Sequence, residues 1–277
     1  EGKFDPLVYL LNYYRTFGIK IAFDKLSIES SNLDIISQLS PDIMKVDLSA
    51  LRSTNSASSF EDIVYSFSLL ARKVGARLLF ENIEMDYQLH FAWKNGGSYY
   101  QGYYLSRPSE NFVEKTILKE KLKKECQYFI NAEKMKLEEL YEITSRLDKE
   151  ISSFIRSFES IEPYEKFLEA LGKKMDEMAF RLYICDEDGF QKSPNLFRKD
   201  GGWVIQEEYR NKNWSWRPYF LENILKMRKE KKGILSDLYS DLETGELIRT
   251  FSVPLGGKYF LFIDISYEYL FEHPALL

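Results

Sequence analysis

The 277-residue sequence predicts an α/β segment that is joined by a long helix to a separate α+β segment. Three observations lead to this prediction. Residues 1 to about 110 alternate short apolar runs with helical patterns. Residues 109 to about 158 have helical composition and contain no proline or glycine. From about residue 164 onward, apolar runs follow one another closely and are separated by turn sequences.

In the first segment, four short apolar runs end in polar or charged residues, which is typical of strands that lead into loops. These runs occupy residues 19–24, 42–48, 77–83 and 98–105. The helical patterns between them cover about 30–40, 60–75 and 85–97. We expect the first of these helices to start at Ser30 or Ser31 and the second to end at a Gly75 C-cap. Alternation of strand and helix favours parallel strands with right-handed crossovers.

The order of elements indicates one half of a TIM-like (β/α)8 barrel, because four strand–helix units are present and a closed barrel has eight. Polar side chains lie near the C-terminal ends of the four strands. They are Asp24, Lys45, Asp47, Glu81 and Gln101. Since the carboxyl ends of parallel strands meet at one rim, we expect these groups to converge there.

The predicted long helix begins at Ser109, with Glu110 behind it to favour a helix N-terminus, and continues to about Phe158. It contains an apolar seam at spacings of three and four, which Glu133 and Thr144 interrupt. The seam consists of Cys126, Ile130, Leu137, Leu140, Leu147, Ile151, Phe154 and Phe158. Two interpretations stay open: a coiled-coil contact of a homodimer, and a connector that packs on its own domains.

The third segment reads as one antiparallel sheet with helices on its face. A short helix follows Pro163, and an apolar strand then turns at Asp186–Gly189 and returns. The remaining elements are a strand at 201–209, a helix at 216–230 and antiparallel strands at 233–241, 247–255 and 258–266. We expect Cys185, on the first of these strands, to be a core residue rather than a reactive thiol.

Composition excludes several classes of function. The formal net charge is -5 and basic residues alternate with acidic ones, so binding to DNA or RNA is not expected. No apolar run approaches the ~18 residues of a membrane helix, and we predict a cytoplasmic protein without a membrane partner. The only cysteines are Cys126 and Cys185 and the only histidines are His90 and His273, which disfavours disulfides, zinc sites and histidine-led catalysis. Because His90 precedes Phe91, we expect it to be a packing residue.

Four segments of the first 115 residues resemble, in order, the motifs of EAL-domain proteins, the cyclic di-GMP phosphodiesterases. The segments read IAFDKLSIESSNL, DIMKVDLS, LLFENIEMDYQ and YYQGYYLSRP. The corresponding family motifs are A-x-D-D-F-G-T-G-x-S-S-L, L-K-I-D, A-E-G-V-E-T and Q-G-Y-x-x-x-x-P. The resemblance implies a barrel whose rim binds cyclic di-GMP and holds two divalent cations, Mg²⁺ or Mn²⁺, that activate water.

The resemblance also implies roles for individual residues. Asp24 and Glu81 stand at metal-ligand positions, and Lys45, Glu81 and Glu84 stand at catalytic positions, with Lys45 placing the attacking water. Gln101 and Asp47 stand at positions that line the nucleotide site. All of these are the family's residue types.

The sequence departs from the family motif at Lys25, which stands where the motif has its second aspartate. A lysine there removes a metal ligand and adds repulsion, and two unit charges ~4 Å apart interact by about 4 kcal/mol at an effective dielectric of 20. Ser27 and Glu29 also occupy glycine positions of the adjoining loop. The glutamate of the E-A-L motif is expected upstream of Glu1, so we expect the N-terminal half of the barrel to be absent from this chain. The resemblance therefore implies nucleotide binding with little or no hydrolysis.

The third segment resembles PAS-like and Cache-like sensor domains, and the whole layout resembles the YkuI-type EAL-domain proteins. We expect domains at 1–108, 109–160 and 161–277. An unknown small ligand would bind between aromatic walls, with a guanidinium for a carboxylate and an acidic group for an amine or hydroxyl. The candidate pocket residues are Trp214, Trp216, Arg217, Tyr219, Tyr239 and Asp264.

Alternatives remain for each part of this interpretation. The polar rim residues are also compatible with strand caps in a decayed barrel, and the aromatic residues of the third segment are also compatible with an ordinary core. Arg217 has Asp237 and Asp241 as possible partners in an ion pair. For the whole chain, the alternatives are an active metal-dependent cyclic di-GMP phosphodiesterase when the full barrel is present, and a dimeric scaffold without any ligand.

Overall fold

A computed structural model describes residues 5–26, 36, 38–52, 57–218 and 220–277, with only the backbone described at residues 5, 52 and 57–59. The chain forms two compact units, Glu1–Asn131 and Ala132–Leu277. The predicted helix start at Ser30 or Ser31 and the loop positions Ser27 and Glu29 lie outside the described residues, as does Tyr219.

The first unit contains a parallel four-stranded sheet in the order β1-β2-β3-β4. Its strands are β1 (Ala22–Leu26), β2 (Ile43–Asp47), β3 (Arg77–Glu81) and β4 (Gly97–Tyr100). The α-helices whose bounds are described are α1 (Asp5–Thr16), α2 (Ala57–Val74) and α3 (Asp86–Lys94), and residues 36, 38 and 39 are also helical. The four predicted strands and their parallel pairing are confirmed, and α2 ends before Gly75, whose φ is +78° as in a glycine C-cap.

The two faces of this sheet follow from the alternation of side chains along the strands. Met44 and Val46 on β2, and Phe80 on β3, are fully buried in the core that α2 and α3 cover. Lys45 lies between the two buried residues of β2 and therefore points to the opposite face, and its register partner on β3 is Leu79. The alternation thus directs charged groups to one side of the sheet, toward the strand ends.

Helix α4 runs from Lys119 to Arg156, so the prediction that it begins at Ser109 is wrong by ten residues. Side chains in the preceding segment bond locally instead: Ser109 Oγ donates to the carbonyl of Asn111 at 2.6 Å, and Thr116 Oγ1 donates to Glu114 Oε1 at 2.5 Å. Such local hydrogen bonds compete with helical ones. Composition alone could not reveal this competition.

The N-terminal and C-terminal parts of the apolar seam of α4 have different surroundings. From Leu140 onward its residues pack into the core of the second unit, where Ile151 is completely buried. Leu137, by contrast, keeps 61% of its surface exposed. The packing supports the interpretation of a connector on its own domain for the C-terminal part of the seam, whereas the coiled-coil dimer stays a prediction.

The second unit is built around a seven-stranded sheet in the order β7-β6-β5-β11-β10-β8, with β9 paired to β10. The strands are β5 (Ala179–Asp186), β6 (Asn195–Lys199), β7 (Gly202–Gln206), β8 (Ile234–Leu235), β9 (Tyr239–Ser240), β10 (Leu247–Gly256) and β11 (Tyr259–Ile265). The helices are α5 (Tyr164–Lys174), α6 (Phe220–Glu230) and α7 (Tyr267–Glu272). All of its pairings are antiparallel, which confirms the predicted sheet.

Both faces of this sheet are covered, and β5 shows the division. Leu182 and Ile184 face the core that includes α4 and α5, while Tyr183 and Cys185 face the core under α6. Cys185 is fully buried, as predicted, and burial raises the pKa of its thiol well above the usual value. In the described residues, no helix is both long enough and apolar enough to cross a membrane.

Candidate functional site

Three of the predicted rim residues meet in one ion-paired cluster at the ends of β1, β2 and β3. Lys45 Nζ lies 2.8 Å from Asp24 Oδ1 and 2.8 Å from Glu81 Oε2. The Lys45 and Glu81 side chains are mostly buried, whereas the Asp24 side chain is 59% exposed. The lysine ammonium therefore bridges the two carboxylates that the sequence assigns as metal ligands.

The cluster stabilises the charged forms of Asp24 and Lys45. The hydrogen bond from Lys45 lowers the pKa of Asp24, and the backbone N–H and the charge of Lys25 lower it further. Hydrogen bonds to Asp24 and Glu81 raise the pKa of Lys45. At neutral pH Lys45 is therefore a cation held between two acceptors, and it is not a candidate for a general base.

Lys25 occupies an uncommon backbone conformation beside this cluster. Its φ is +54°, in the left-handed region, and its backbone N–H donates to Asp24 Oδ1 at 2.9 Å. Its side chain is exposed at the rim. A cation thus stands next to Asp24, as the sequence indicated.

The other predicted rim residues lie close by but make different contacts. Asp47 Oδ1 accepts hydrogen bonds from the Ser49 backbone and from Asn82 Nδ2, both at 2.8 Å. Gln101 is exposed, and its backbone bonds to Phe80 and Ile83. The structure thus brings Asp24, Lys45 and Glu81 together, whereas Asp47 and Gln101 are not part of this ion-paired cluster.

An open groove of about 620 Å³ has Asn82, which follows Glu81 at the end of β3, in its lining. Its lining includes Glu84, Gln101 and Gly102 from the predicted nucleotide motifs. Asn82, Tyr103, Arg107 and Phe112 are among the other lining residues. The groove offers amide, carboxylate, guanidinium and aromatic groups, which are the groups that recognise the edges and faces of nucleobases.

Sequence reasoning missed two polar residues that support this region. Gln88 is fully buried, and its Oε1 accepts the backbone N–H groups of Glu84 and Met85 at 2.7 and 3.1 Å, which holds the start of α3. Asn82, with φ of +61°, donates to Asp47. Gln88 lies three residues after Met85, which is the spacing of a capping box. The sequence did not indicate one because Met is not a usual N-cap residue.

The described residues offer at most part of a ligand set for a metal ion. In the described ranges, no three His, Cys, Asp or Glu side chains form a group that could hold a metal ion. Asp24 and Glu81 offer two carboxylates around one point, but Lys45 Nζ lies at that point. Carboxylates of this kind fit one hard divalent cation once further oxygen ligands join them.

The second unit contains a separate cavity of about 660 Å³. Four of the predicted sensor residues line it: Trp214, Trp216, Arg217 and Tyr239. Tyr183, Phe262 and Thr250 also line it and were not predicted, because their strands read as ordinary core. The convergence of an arginine with aromatic walls is therefore present in the structure.

Asp264 differs from the prediction. It has no exposed surface, it is absent from the cavity lining, and its Oδ2 lies 2.6 Å from Arg181 Nε. Arg181 also binds Asp241 Oδ1 at 2.6 Å and Glu243 Oε2 at 2.8 Å. Asp264 is therefore committed to a buried ion pair, and Asp241 is not the partner of Arg217.

The two histidines have packing roles in the described structure. His90 stacks on Phe129 with ring centroids 4.5 Å apart and an angle of 7° between the planes. His273 stacks on Tyr269, and its Nδ1 lies 2.8 Å from the Tyr269 carbonyl. The packing role that the sequence predicted for His90 agrees with this contact.

Comparison with known proteins agrees with the two halves of this description. Residues 7–108 match the EAL domain model, and residues 112–277 match the model of an EAL-domain associated signalling protein domain. The chain is 51% identical over 279 aligned positions to the uncharacterized EAL-domain containing protein YkuI of Bacillus subtilis (strain 168), covering 100% of this chain and 69% of that protein. A second relative, the cyclic di-GMP phosphodiesterase NbdA of Pseudomonas aeruginosa, is 28% identical over 104 residues, which is 38% of this chain and 13% of NbdA.

A solved structure is similar over the whole chain. It is the crystal structure of the Bacillus subtilis YkuI protein in complex with its substrate cyclic di-GMP and calcium. The TM-score is 0.93 at 50% sequence identity, and the match covers 100% of this chain and 68% of the other. The chain belongs to the family of EAL-domain proteins that carry an EAL-domain associated signalling protein domain.

Proposed function

We propose that this protein binds cyclic di-GMP at the rim of its EAL domain and hydrolyses it slowly or not at all. The observation that carries the proposal is the position of Lys45 Nζ, 2.8 Å from both Asp24 and Glu81, together with Lys25 in place of an acidic residue. The complex of the similar YkuI protein with cyclic di-GMP supports the choice of ligand.

Lys25 supplies the positive charge of the rim that an anionic dinucleotide would meet. Its exposed side chain stands beside the strand ends, whereas Lys45 is already paired with Asp24 and Glu81. Gln101 and Asp47 would contact the nucleotide, and the adjoining groove would take a base. Glu84 lines that groove and stands at the family's catalytic position.

A divalent cation, when bound, would supply positive charge that neutralises the phosphodiester. Asp24 and Glu81 would be its protein ligands, and Mg²⁺ or Mn²⁺ suits these oxygen donors. Because Lys45 already satisfies both carboxylates and Lys25 adds repulsion, we propose that the site holds at most one such ion firmly.

The proposed architecture places the first 108 residues in the second half of a TIM-like barrel. Residues 109–160 would form the connector and residues 161–277 a PAS-like sensor. In support, the four parallel strands of the first unit alternate with helices, and the second unit is an antiparallel sheet with helices on both faces.

The proposal is tested by incubating the complete natural protein with cyclic di-GMP in the presence of Mg²⁺ or Mn²⁺. We expect calorimetry to show saturable binding and chromatography to show no accumulation of the linear dinucleotide over hours. Rapid metal-dependent turnover would contradict the proposal and would favour the alternative, an active phosphodiesterase, for which the similarity to NbdA speaks.

Lys25→Asp is expected to raise the affinity of the rim for Mn²⁺ about tenfold, because it removes a repulsive charge and adds a carboxylate. Aspartate also tolerates the left-handed backbone of this position better than lysine. Titration of Mn²⁺ into both proteins, followed by calorimetry, measures the effect. Lys20→Asp, which makes the same charge change at an exposed position before β1, is the control. Equal gains in the two variants would show that only the overall charge matters.

The second unit has a second candidate function, that of a small-ligand sensor. The observation that favours it is the cavity of about 660 Å³, which Arg217, Tyr239 and the two tryptophans Trp214 and Trp216 line together. A ligand in such a cavity would be held by apolar contact and oriented by a few polar groups.

A further inference from the structure

Stacked aromatic rings form part of the lining of the cavity in the second unit. The rings of Tyr183 and Phe262 are stacked 5.1 Å apart at 8°, and those of Phe220 and Phe262 are 5.8 Å apart at 13°. Trp214 adds a tilted ring 6.5 Å from Tyr183. Such an aromatic lining suits a small ligand with an apolar body.

Arg217 supplies the positive charge of the cavity. Its guanidinium lies over the Trp214 ring, 4.4 Å from the centroid, and its Nη1 donates to Tyr183 Oη at 3.5 Å. Among the described residues it forms no ion pair with a carboxylate, unlike Arg181 or Arg210. The arginine is thus oriented by an aromatic ring, and its remaining N–H groups match the two oxygens of a carboxylate.

The hydroxyl of Tyr239 presents an acceptor to the cavity. Thr250 Oγ1 donates its single proton to Asp264 Oδ1 at 2.6 Å. In the 2.7 Å contact between Tyr239 Oη and Thr250 Oγ1, the tyrosine must therefore be the donor. Burial raises the pKa of Tyr239 to about 12, so it keeps that proton at neutral pH. Its oxygen can then only accept a hydrogen bond, and its partner on a ligand must be an O–H or N–H group.

A neutral hydroxyl fits this position better than an ammonium group. Asp264, the acidic residue nearest to the Thr250 hydroxyl, has Oδ1 bound by Thr250 and Oδ2 bound by Arg181, and it does not line the cavity, so it offers no contact to an ammonium group. The acidic residues that line the cavity, Glu222 and Asp237, are exposed to solvent, where ion pairs contribute little. An ammonium group would thus enter a partly buried site that contains an arginine and lacks a buried free carboxylate.

We propose that this cavity binds a small hydroxycarboxylate, whose carboxylate pairs with Arg217 and whose hydroxyl donates to Tyr239. The inference rests on the proposed sensor function of the second unit and names the class of its ligand. Thr250 and Asp264 act as positioning residues, because they fix the direction of the Tyr239 proton.

The test uses the 277-residue chain and three acids that share one phenyl body. Calorimetry compares 3-phenyllactate, 3-phenylpropionate and phenylalanine, which carry a hydroxyl, nothing or an ammonium group at the same carbon. We expect 3-phenyllactate to bind about fivefold more tightly than 3-phenylpropionate, the gain of one hydrogen bond. Phenylalanine should bind at least about tenfold more weakly than 3-phenyllactate.

Two variants assign the contacts. Tyr239→Phe should lower the affinity for 3-phenyllactate about fivefold and change the affinity for 3-phenylpropionate by less than about twofold. Only 3-phenyllactate has a hydroxyl that bonds to Tyr239. Arg217→Met should weaken both acids at least about tenfold. If Tyr239→Phe lowered the affinity for both acids equally, the proposed role of the hydroxyl would be wrong. A merely structural effect of the substitution would lower both affinities to the same extent.

Binding of benzylamine, an amine without a carboxylate, is measured as well, to distinguish a wrong ligand class from a wrong function. Binding of benzylamine or phenylalanine in preference to 3-phenyllactate would preserve the sensor and overturn the hydroxycarboxylate. If none of the four compounds binds to the folded chain at millimolar concentration, both the sensor function and its ligand class fail.

Discussion

Arg181→Met is expected to lower the free energy of unfolding of the second unit by about 3–5 kcal/mol. Arg181 is only 4% exposed, and its guanidinium binds the fully buried Asp264 and the buried Asp241. Methionine fills much of the same volume but leaves both carboxylates without a counter-charge in a site that water does not reach. The cost is therefore that of uncompensated buried charge rather than of a lost contact.

Urea denaturation followed by tryptophan fluorescence measures this loss, because three of the four tryptophans belong to the second unit. Arg228→Met is the matched control. Arg228 pairs with Glu187 at 2.8 Å, but its side chain is 49% exposed, and such a pair contributes at most about 1 kcal/mol. A loss in Arg181→Met that is no larger than in the control would mean that the buried carboxylates are not held as charges.

Local sequence patterns could predict the elements because each pattern is short. The apolar positions Met44 and Val46, separated by Lys45, indicate a strand with one buried face, and the structure has that strand. Gly75 marks the end of α2 because only glycine adopts its φ of +78° easily. Convergence of Asp24, Lys45 and Glu81 followed from parallel topology alone.

The ion-pair partners of side chains could not be predicted where they depend on the register between strands that are distant in sequence. The sequence indicated Asp264 as a ligand group, but Asp264 on β11 is the register partner of Arg181 on β5, 83 positions earlier. No local pattern reports that pairing. The bridging position of Lys45 was hidden for the same reason, since two carboxylates and a lysine at one rim are compatible with either a metal or an ion pair.

Gly102→Ala is expected to destabilise the first unit by about 3 kcal/mol and to weaken cyclic di-GMP binding at least about tenfold. A Cβ at this position would lie 2.0 Å from the Ile83 carbonyl oxygen and 2.4 Å from the Ile83 nitrogen. Both atoms belong to the backbone and cannot rotate away. The segment must then separate from Ile83, whose N–H donates to Gln101 at 3.1 Å and whose carbonyl accepts from Tyr104 at 3.0 Å. Gln101 would move with it, out of the groove that we assign to the nucleotide.

The same substitution at Gly96 isolates the effect of the clash. Gly96 has a φ of +79°, and a Cβ there would meet nothing within 4 Å. Gly96→Ala should therefore cost about 1 kcal/mol of left-handed backbone strain and leave nucleotide affinity unchanged. Thermal unfolding and calorimetry on both variants supply the comparison. If Gly102→Ala were as stable as Gly96→Ala and still bound cyclic di-GMP normally, the close approach of residues 101–104 to Ile83 would not be what holds Gln101 at the rim.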